Sequence, residues 1–251
     1  MLTPQRHQLI LNLLKQQGVV KLQDLVSVTE SSESTIRRDL VELEKQNLLK
    51  RVHGGAALLQ GKGTEPTIVE KSAKNLQEKR QIAAFAASLV GKGDCIYLDA
   101  GSTTIEMIPH LTGKQVTVVT NGVNHLEILL RNDMKAYVLG GMMKASTRAI
   151  IGNVALENIR RFRFDHCFLG VNGIHAELGY TTPDPEEAFL KQAALQLSGQ
   201  SYVLADHSKF GEISFAKIAD LEEATILTDE MPEDTREFYE KQTSVLEVVK
   251  P

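Results

Sequence analysis

Ser31-Ser32-Glu33-Ser34-Thr35-Ile36-Arg37-Arg38-Asp39-Leu40 has the residue types and spacing of a helix with a chemical task. Ser32 suits an N-cap, and Glu33 suits the positive end of the helix dipole. Ile36, Leu40 and Leu43 fall at i, i+4 and i+7 and form one apolar stripe, which leaves Ser34, Thr35, Arg37 and Arg38 on other faces. Two adjacent guanidinium groups beside hydroxyls suit contacts with phosphates and guanine edges, so this helix is a candidate reader of double-stranded DNA. Seen alone, such a face is more often solvated surface, and its neighbours must decide.

Those neighbours form a recognisable unit. Pro4 to Gln17 carries Leu9, Ile10, Leu13 and Leu14 at helical spacing, with Gly18 placed as a C-cap. Val19-Val20 is β-branched and short, as a small strand would be. Leu22 to Thr29 predicts a second helix with Leu22, Leu25 and Val26 inward, and a turn of about four residues leads into the Arg37-Arg38 helix, the spacing of a helix-turn-helix. Leu48 to Leu58 then reads as a hairpin, a wing, in which Gly54-Gly55 permits a tight turn and close approach to a phosphate while Lys50, Arg51 and His53 supply positive charge.

A second set of chemical groups lies further on, after a series of apolar runs. Cys95–Leu98, Val116–Val119, Ala136–Leu139, His166–Leu169, Ser201–Leu204 and Ala224–Leu227 are continuous rather than alternating, and helical stretches separate most of them. That pattern predicts an α/β domain with an open, largely parallel sheet covered on both faces. Polar and glycine residues follow the runs: Asp99-Ala100-Gly101-Ser102-Thr103-Thr104, then Thr120-Asn121-Gly122, Gly140-Gly141, Gly170-Val171-Asn172-Gly173 and Asp206-His207-Ser208-Lys209. Open α/β sheets bind ligands at the carboxyl ends of their strands, so one pocket is expected there.

Within it, Gly101, Ser102, Thr103 and Thr104 stand between a strand and a helix beginning near Ile105, where backbone N–H groups and hydroxyls can hold a phosphate. A capped strand-to-helix turn accounts for the segment equally well. Lys209 would supply countercharge, Arg148 could reach the phosphate, and Asp99, Asn121 and Asp206 could hydrogen-bond sugar hydroxyls. A small phosphorylated sugar or polyol is the combined expectation. Asp184, Pro185 and Glu187 form a good helix start and are read as capping rather than ligand-binding.

Bulk properties set the frame. At 251 residues the chain exceeds one winged unit, and its net charge of −4 divides into +2 over residues 1–60 and −6 over the rest. Expected domains are a winged helix-turn-helix over 1–60, a linker over 61–74 with Gly61, Gly63 and Pro66, and an effector domain over 75–251. Cys95 and Cys167 lack partners at ligand spacing, which argues for buried free thiols and against a structural metal site. No signal peptide, membrane span or cofactor motif is read, so a cytoplasmic protein without cofactor is expected. The seven histidines show no nucleophilic pairing with Ser or Cys.

The whole chain resembles the DeoR family of bacterial transcriptional repressors of sugar metabolism. The likeness is carried by Ser34 to Leu40, Arg51-Val52-His53-Gly54-Gly55-Ala56, Asp99 to Thr104, Thr120-Asn121, Gly140-Gly141 and Asp206 to Gly211. Thr181 to Ala188 and Phe210 to Phe215 look most like the fructose-operon repressors of Gram-positive bacteria. The resemblance implies an effector domain related in fold to ribose-5-phosphate isomerase, induction by a sugar phosphate such as fructose 1-phosphate, and a homodimer or homotetramer. Where the family usually has Thr in the phosphate loop this chain has Ser102, and either hydroxyl can serve. The competing expectation is a sugar-phosphate isomerase with a DNA-binding head, using Asp99, Asp206 or Lys209 for proton transfer, although no convincing acid/base pair stands out.

Overall fold

The computed structural model describes residues 2–248 apart from 18, 47, 53, 59–64, 232 and 234. Gly18 and His53 therefore lie outside the described residues, and Lys50 is described by its backbone alone. The chain forms two compact units, one ending at Gly61 and one beginning at Lys62.

The first unit runs α1 (Thr3–Gln17), β1 (Val19–Lys21), α2 (Leu22–Thr29), α3 (Glu33–Lys45), β2 (Leu49–Val52) and β3 (Gly55–Leu58). Its core joins Ile10 and Leu14 of α1 to Leu25 of α2 and to Ile36, Leu40 and Leu43 of α3, the stripe that the spacing predicts. Between α2 and α3 the chain turns at Glu30, in the left-handed region at φ 50°, and Ser32 caps α3 by accepting from the Thr35 N–H at 3.3 Å. The strands form a three-stranded antiparallel sheet in the order β1-β3-β2, so the wing is tied back to the strand between α1 and α2.

The second unit opens with α4 (Ile68–Ala73) and α5 (Leu76–Ser88). It continues through β4 (Cys95–Leu98), β5 (Thr117–Thr120), α6 (His125–Arg131), β6 (Lys135–Val138), β7 (Met142–Lys144), β8 (Ala149–Ile151), α7 (Asn153–Ile159) and β9 (Phe164–Gly170). Then follow β10 (Gly173–His175), β11 (Gly179–Thr182), α8 (Pro185–Gln196), β12 (Ser198–Leu204), β13 (Ala216–Ala219), β14 (Thr225–Thr228), α9 (Arg236–Glu240) and β15 (Val245–Glu247). Seven strands make one parallel sheet in the order β15-β14-β12-β9-β4-β5-β6.

Both faces of this sheet are covered, which explains the continuous apolar runs. Ile96, Leu98, Val118, Phe168 and Leu204 meet Ile82 and Ala86 of α5 together with Met107 and Ile108. Tyr97, Val119, Leu169 and Val203 face the other way, toward Ala188, Leu190 and Ala194 of α8. Two small antiparallel additions flank the sheet: the β7–β8 hairpin and the three-stranded sheet β10-β11-β13.

Three expectations are corrected. Residues 68–73 of the expected linker are helical, because Thr67 and Glu70 form a capping box and Ile68 is buried in the second unit. The helix after the Gly101 loop is a 3-10 helix over Thr104–Leu111 with Pro109 inside it; the missing proline N–H disfavours an α-helix there. Of the two thiols only Cys167 is buried, whereas Cys95 is exposed.

Candidate functional site

On α3, Ser34, Arg37 and Arg38 are exposed and Thr35 is half-buried. The Ser34 and Thr35 hydroxyls both bond the Ser32 Oγ, at 3.0 and 2.8 Å, which fixes the cap beside them. Arg37 donates from Nε to Glu33 at 3.0 Å, an exposed pair that a phosphate can outcompete. The Arg38 side chain is exposed and makes no hydrogen bond or ion pair among the described residues. Asp39, in the same motif, turns inward: its carboxylate accepts from Arg6 at 3.0 Å and lies 3.1 Å from His7 Nε2, tying α3 to α1. Burial pushes the Asp39 carboxyl up, but Arg6 and His7 outweigh that and hold it below the usual range.

The wing divides its labour. Gly54 is exposed at φ 78°, and nothing crowds its Cα, so it serves the turn. Gly55 is buried, and a Cβ there would stand 2.2 Å from the Val20 carbonyl oxygen, so packing of β3 on β1 by itself requires glycine at this position. Arg51 binds Glu44 of α3 through its backbone N–H at 2.8 Å and its Nε at 2.6 Å, which anchors the wing to that helix.

In the second unit the sheet register gathers the strand-end loops. Leu98 pairs with both Thr120 and Phe168, and Leu204 pairs with Gly170, so the residues following β4, β5, β9 and β12 emerge at one edge. Asp99 lies almost fully buried among them. Its carboxylate accepts from the Gly170 N–H at 2.9 Å and from Thr104 Oγ1 at 3.2 Å, and it is ion-paired with Lys191 of α8. Burial pulls the Lys191 ammonium down, while Asp99 and Glu187 outweigh it and raise its pKa. Asp99 is thus a support beneath the loop and not a free sugar ligand. A Cβ on Gly101 would come within 2.7 Å of the Asp99 carboxylate and 2.9 Å of the Thr104 hydroxyl, so the loop needs glycine at that point.

Asn121 is also committed inward, accepting from Tyr97 Oη at 3.0 Å and donating to the Ile150 carbonyl at 3.0 Å. Beside it, buried His125 has Nδ1 at 2.9 Å from Thr120 Oγ1. Burial lowers its pKa to about 4 despite Asp99, so the imidazole is neutral.

A small cleft opens over these loops. Gly101, Gly122, Thr147 and Arg148 line it, together with Ile68 and Ser72 of α4. Arg148 is exposed at φ 52° and donates to Asn124 Oδ1 at 3.0 Å, its guanidinium thereby held at the rim. Ser102 is half-buried and Thr103 buried in the same loop.

Asp206 and Lys209 form a separate cluster. The Asp206 carboxylate accepts from Asn75 at 2.7 Å, the Ser208 N–H at 3.1 Å and the Ser208 hydroxyl, which together with Lys209 hold its pKa low against burial. Lys79 of α5 is buried nearby with its Nζ on the Lys71 carbonyl oxygen. Burial lowers the Lys79 pKa to about 8, with Asp206 opposing and Lys209, Lys74 and Lys71 adding to the fall. Burial likewise lowers Lys209. Lys79 and Lys209 both face the Asp206 carboxylate, and two ammonium groups around one carboxylate are a setting for an anion.

The remaining glycine and asparagine candidates do not line the cleft. The Gly140 N–H is bonded to Asn158 Oδ1 at 3.0 Å, and a Cβ on Gly141 would meet the Ile151 carbonyl at 2.7 Å. Asn172 accepts from the Thr182 hydroxyl at 3.2 Å, and Gly173 packs on the Glu212 carbonyl. Lys79, His125, Thr147 and Lys191 were missed from the sequence. A lysine four residues after Glu187 on a helix reads as an exposed i,i+4 pair, and only the fold buries it.

Among the described residues no helix is long and apolar enough to cross a membrane. Family models match twice: a DeoR-like helix-turn-helix domain over residues 6–62 and a DeoR C terminal sensor domain over residues 74–230. Among relatives, the "Uncharacterized HTH-type transcriptional regulator FruR" of Bacillus subtilis is 53% identical over 252 residues, covering 100% of both chains. The HTH-type transcriptional repressor GlcR of the same species is 35% identical over 89% of this chain and 87% of its own. The glycerol-3-phosphate regulon repressor of Escherichia coli K12 is 37% identical over 82% of each. Ribose 5-phosphate isomerase A from Neisseria gonorrhoeae matches 54% of this chain and 53% of its own, at 19% identity and a TM-score of 0.39. The two consecutive domain matches and the full-length likeness place this chain in the DeoR family of helix-turn-helix transcriptional regulators.

Proposed function

We propose that the chain is the repressor of a sugar-utilisation operon, most specifically a fructose operon, and that a phosphorylated sugar such as fructose 1-phosphate releases it from its operator. The DNA contacts come from Ser34, Thr35, Arg37 and Arg38 of α3, with the wing residues Lys50, Arg51, His53 and Gly54 at the backbone. The observation that supports this reading most strongly is the full-length likeness to a regulator named FruR, combined with an α3 whose exposed face carries Arg38 unpaired among the described residues.

For the effector, the N–H groups of Ser102 to Thr104 and the hydroxyls of Ser102 and Thr103 receive the phosphate, with Arg148 at the rim and Lys209 adding countercharge. Asp206 is available to sugar hydroxyls through the oxygen it does not share with Asn75. The working form is a homodimer or homotetramer in the cytoplasm, because two heads at fixed spacing match a two-fold operator. Ligand binding must favour an arrangement with lower operator affinity, since a ligand can shift an equilibrium only by its differential affinity. An isomerase reading is disfavoured by the full-length likeness to transcriptional regulators, and it loses one of its three candidate proton carriers, because Asp99 is held by Lys191, Gly170 and Thr104.

Thermal-shift titration of the full chain with fructose 1-phosphate, fructose 6-phosphate and glucose 6-phosphate tests the effector assignment. A rise with fructose 1-phosphate that is lost in Ser102→Glu, while operator binding persists, supports it. No rise with any sugar phosphate overturns it.

A further inference from the structure

Lys144 sits at the end of β7 among three carboxylates drawn from different parts of the second unit. Its Nζ lies 2.6 Å from Asp184 and 3.2 Å from Glu187, both at the start of α8, and it is also paired with Glu65. These three acids are close enough together to hold a metal ion, but the ammonium already stands among them. Glu65 takes a second lysine, Lys71 of α4, at 2.8 Å. Burial pushes the Glu65 carboxyl up, yet Lys71 and Lys144 outweigh it and keep it ionised.

Two features make this cluster more than a local clamp. Glu187 also accepts from the Thr147 hydroxyl at 2.7 Å, and Thr147 lines the cleft with Arg148. The Ile68 N–H donates to the Ser146 carbonyl at 2.9 Å, and Ile68 and Ser72 form the cleft's other wall. The β7–β8 turn and α4 are therefore two walls of one cleft, joined behind it through Lys144 and Glu65. In sequence, Glu65 is separated from Leu58, the last residue of the wing, by only six residues.

We propose that the Lys144–Glu65 ion pair is the positioning contact that transmits cleft occupancy to the segment carrying the DNA-binding unit. The inference rests on the reading of the cleft as the effector site. A ligand seated between Arg148 and Ser72 changes the distance between the two walls, and the ion pair converts that change into displacement of residues 65–73. Breaking the pair leaves each binding event intact and removes the coupling between them, which is a free energy distinct from either affinity.

The test uses the full chain with fructose 1-phosphate as probe, comparing wild type with Lys144→Met, Glu65→Gln and the charge-retaining Lys144→Arg. Thermal shift reports ligand binding, and mobility-shift titration on the chain's own promoter reports operator affinity with and without ligand. In the wild type, saturating ligand weakens operator binding tenfold or more. In Lys144→Met and Glu65→Gln the melting temperature still rises with ligand and ligand-free operator affinity is kept, but the ligand effect falls below twofold; Lys144→Arg restores it. Glu65→Gln keeps the test decisive should Lys144→Met fail to fold. Full induction in a folded, ligand-binding Glu65→Gln chain overturns this inference alone. A wild type that binds no fructose 1-phosphate overturns the effector reading, and this inference with it.

Discussion

Lys191 of α8 and Asp99 at the end of β4 form a buried ion pair ninety-two positions apart, beneath the loop expected to hold phosphate. The carboxylate also fixes Gly170 and Thr104, so one group sets the geometry of two strand-end loops. Lys191→Met leaves that carboxylate buried without its countercharge and should destabilise the chain by about 3–5 kcal/mol, read by urea denaturation. Adding Asp99→Asn to the same variant should recover much of the loss, because the neutral amide keeps an acceptor for Gly170 without a buried charge. A single variant as stable as wild type would show that the pair does not hold the loop.

The two arginines of α3 should separate experimentally. Arg38→Ala should cost about 1–3 kcal/mol of operator affinity and relax specificity at one base pair, as expected for a side chain at a base edge. Arg37, paired with Glu33, suits a phosphate contact, so Arg37→Ala should weaken binding uniformly across sequences and lower the salt slope by about one. Binding assays on operator variants at several salt concentrations read both effects. The reverse assignment, with specificity lost at Arg37, would require a different docking of the helix.

Acid should expose the buried imidazole. His125 titrates near 4 in the folded chain against an ordinary 6.5, so on acidification the unfolded chain takes up the proton first. Its contribution is complete above pH 6.5 and is lost as pH falls from 6.5 to 4, amounting to about 2 kcal/mol by pH 5. The carboxylates of Asp39, Glu65, Asp184 and Asp206, all held below their ordinary range, add losses at lower pH still. Urea midpoints at pH 7 and pH 5 should therefore converge in His125→Gln relative to wild type. An unchanged difference between the two pH values would mean that His125 is not the titrating group.

The sequence carried the parts of the fold that follow from periodicity. Ile36, Leu40 and Leu43 could only form one helical stripe, and Ile96 to Leu98 could only be a strand buried on both faces. Several short elements were lost: β7, β8, β10 and β15 span three residues each, too few to show a period, whereas the equally short β1 was legible from its β-branched Val19 and Val20. Helix α4 was legible in principle, since Thr67 and Glu70 stand at capping-box spacing, but Gly61, Gly63 and Pro66 suggested a linker instead.

The site was less legible for a physical reason. Polar residues at strand ends mark where ligands bind, but their types do not reveal which are already satisfied. Asp99 and Asn121 look like sugar ligands until Lys191 and Tyr97 are placed against them. Lys79, Lys144 and Lys191 look like solvated helix or turn residues until the fold buries them or surrounds them with acid. Gly55, suited by type to a DNA backbone, is already required by the Val20 carbonyl.

Whether a sugar phosphate releases the chain from its operator is read by a mobility-shift titration of the full chain on its own promoter, with and without fructose 1-phosphate at a concentration shown by thermal shift to saturate. Release by the sugar phosphate requires at least a tenfold loss of operator affinity with ligand bound. Operator affinity unchanged at saturation would contradict it.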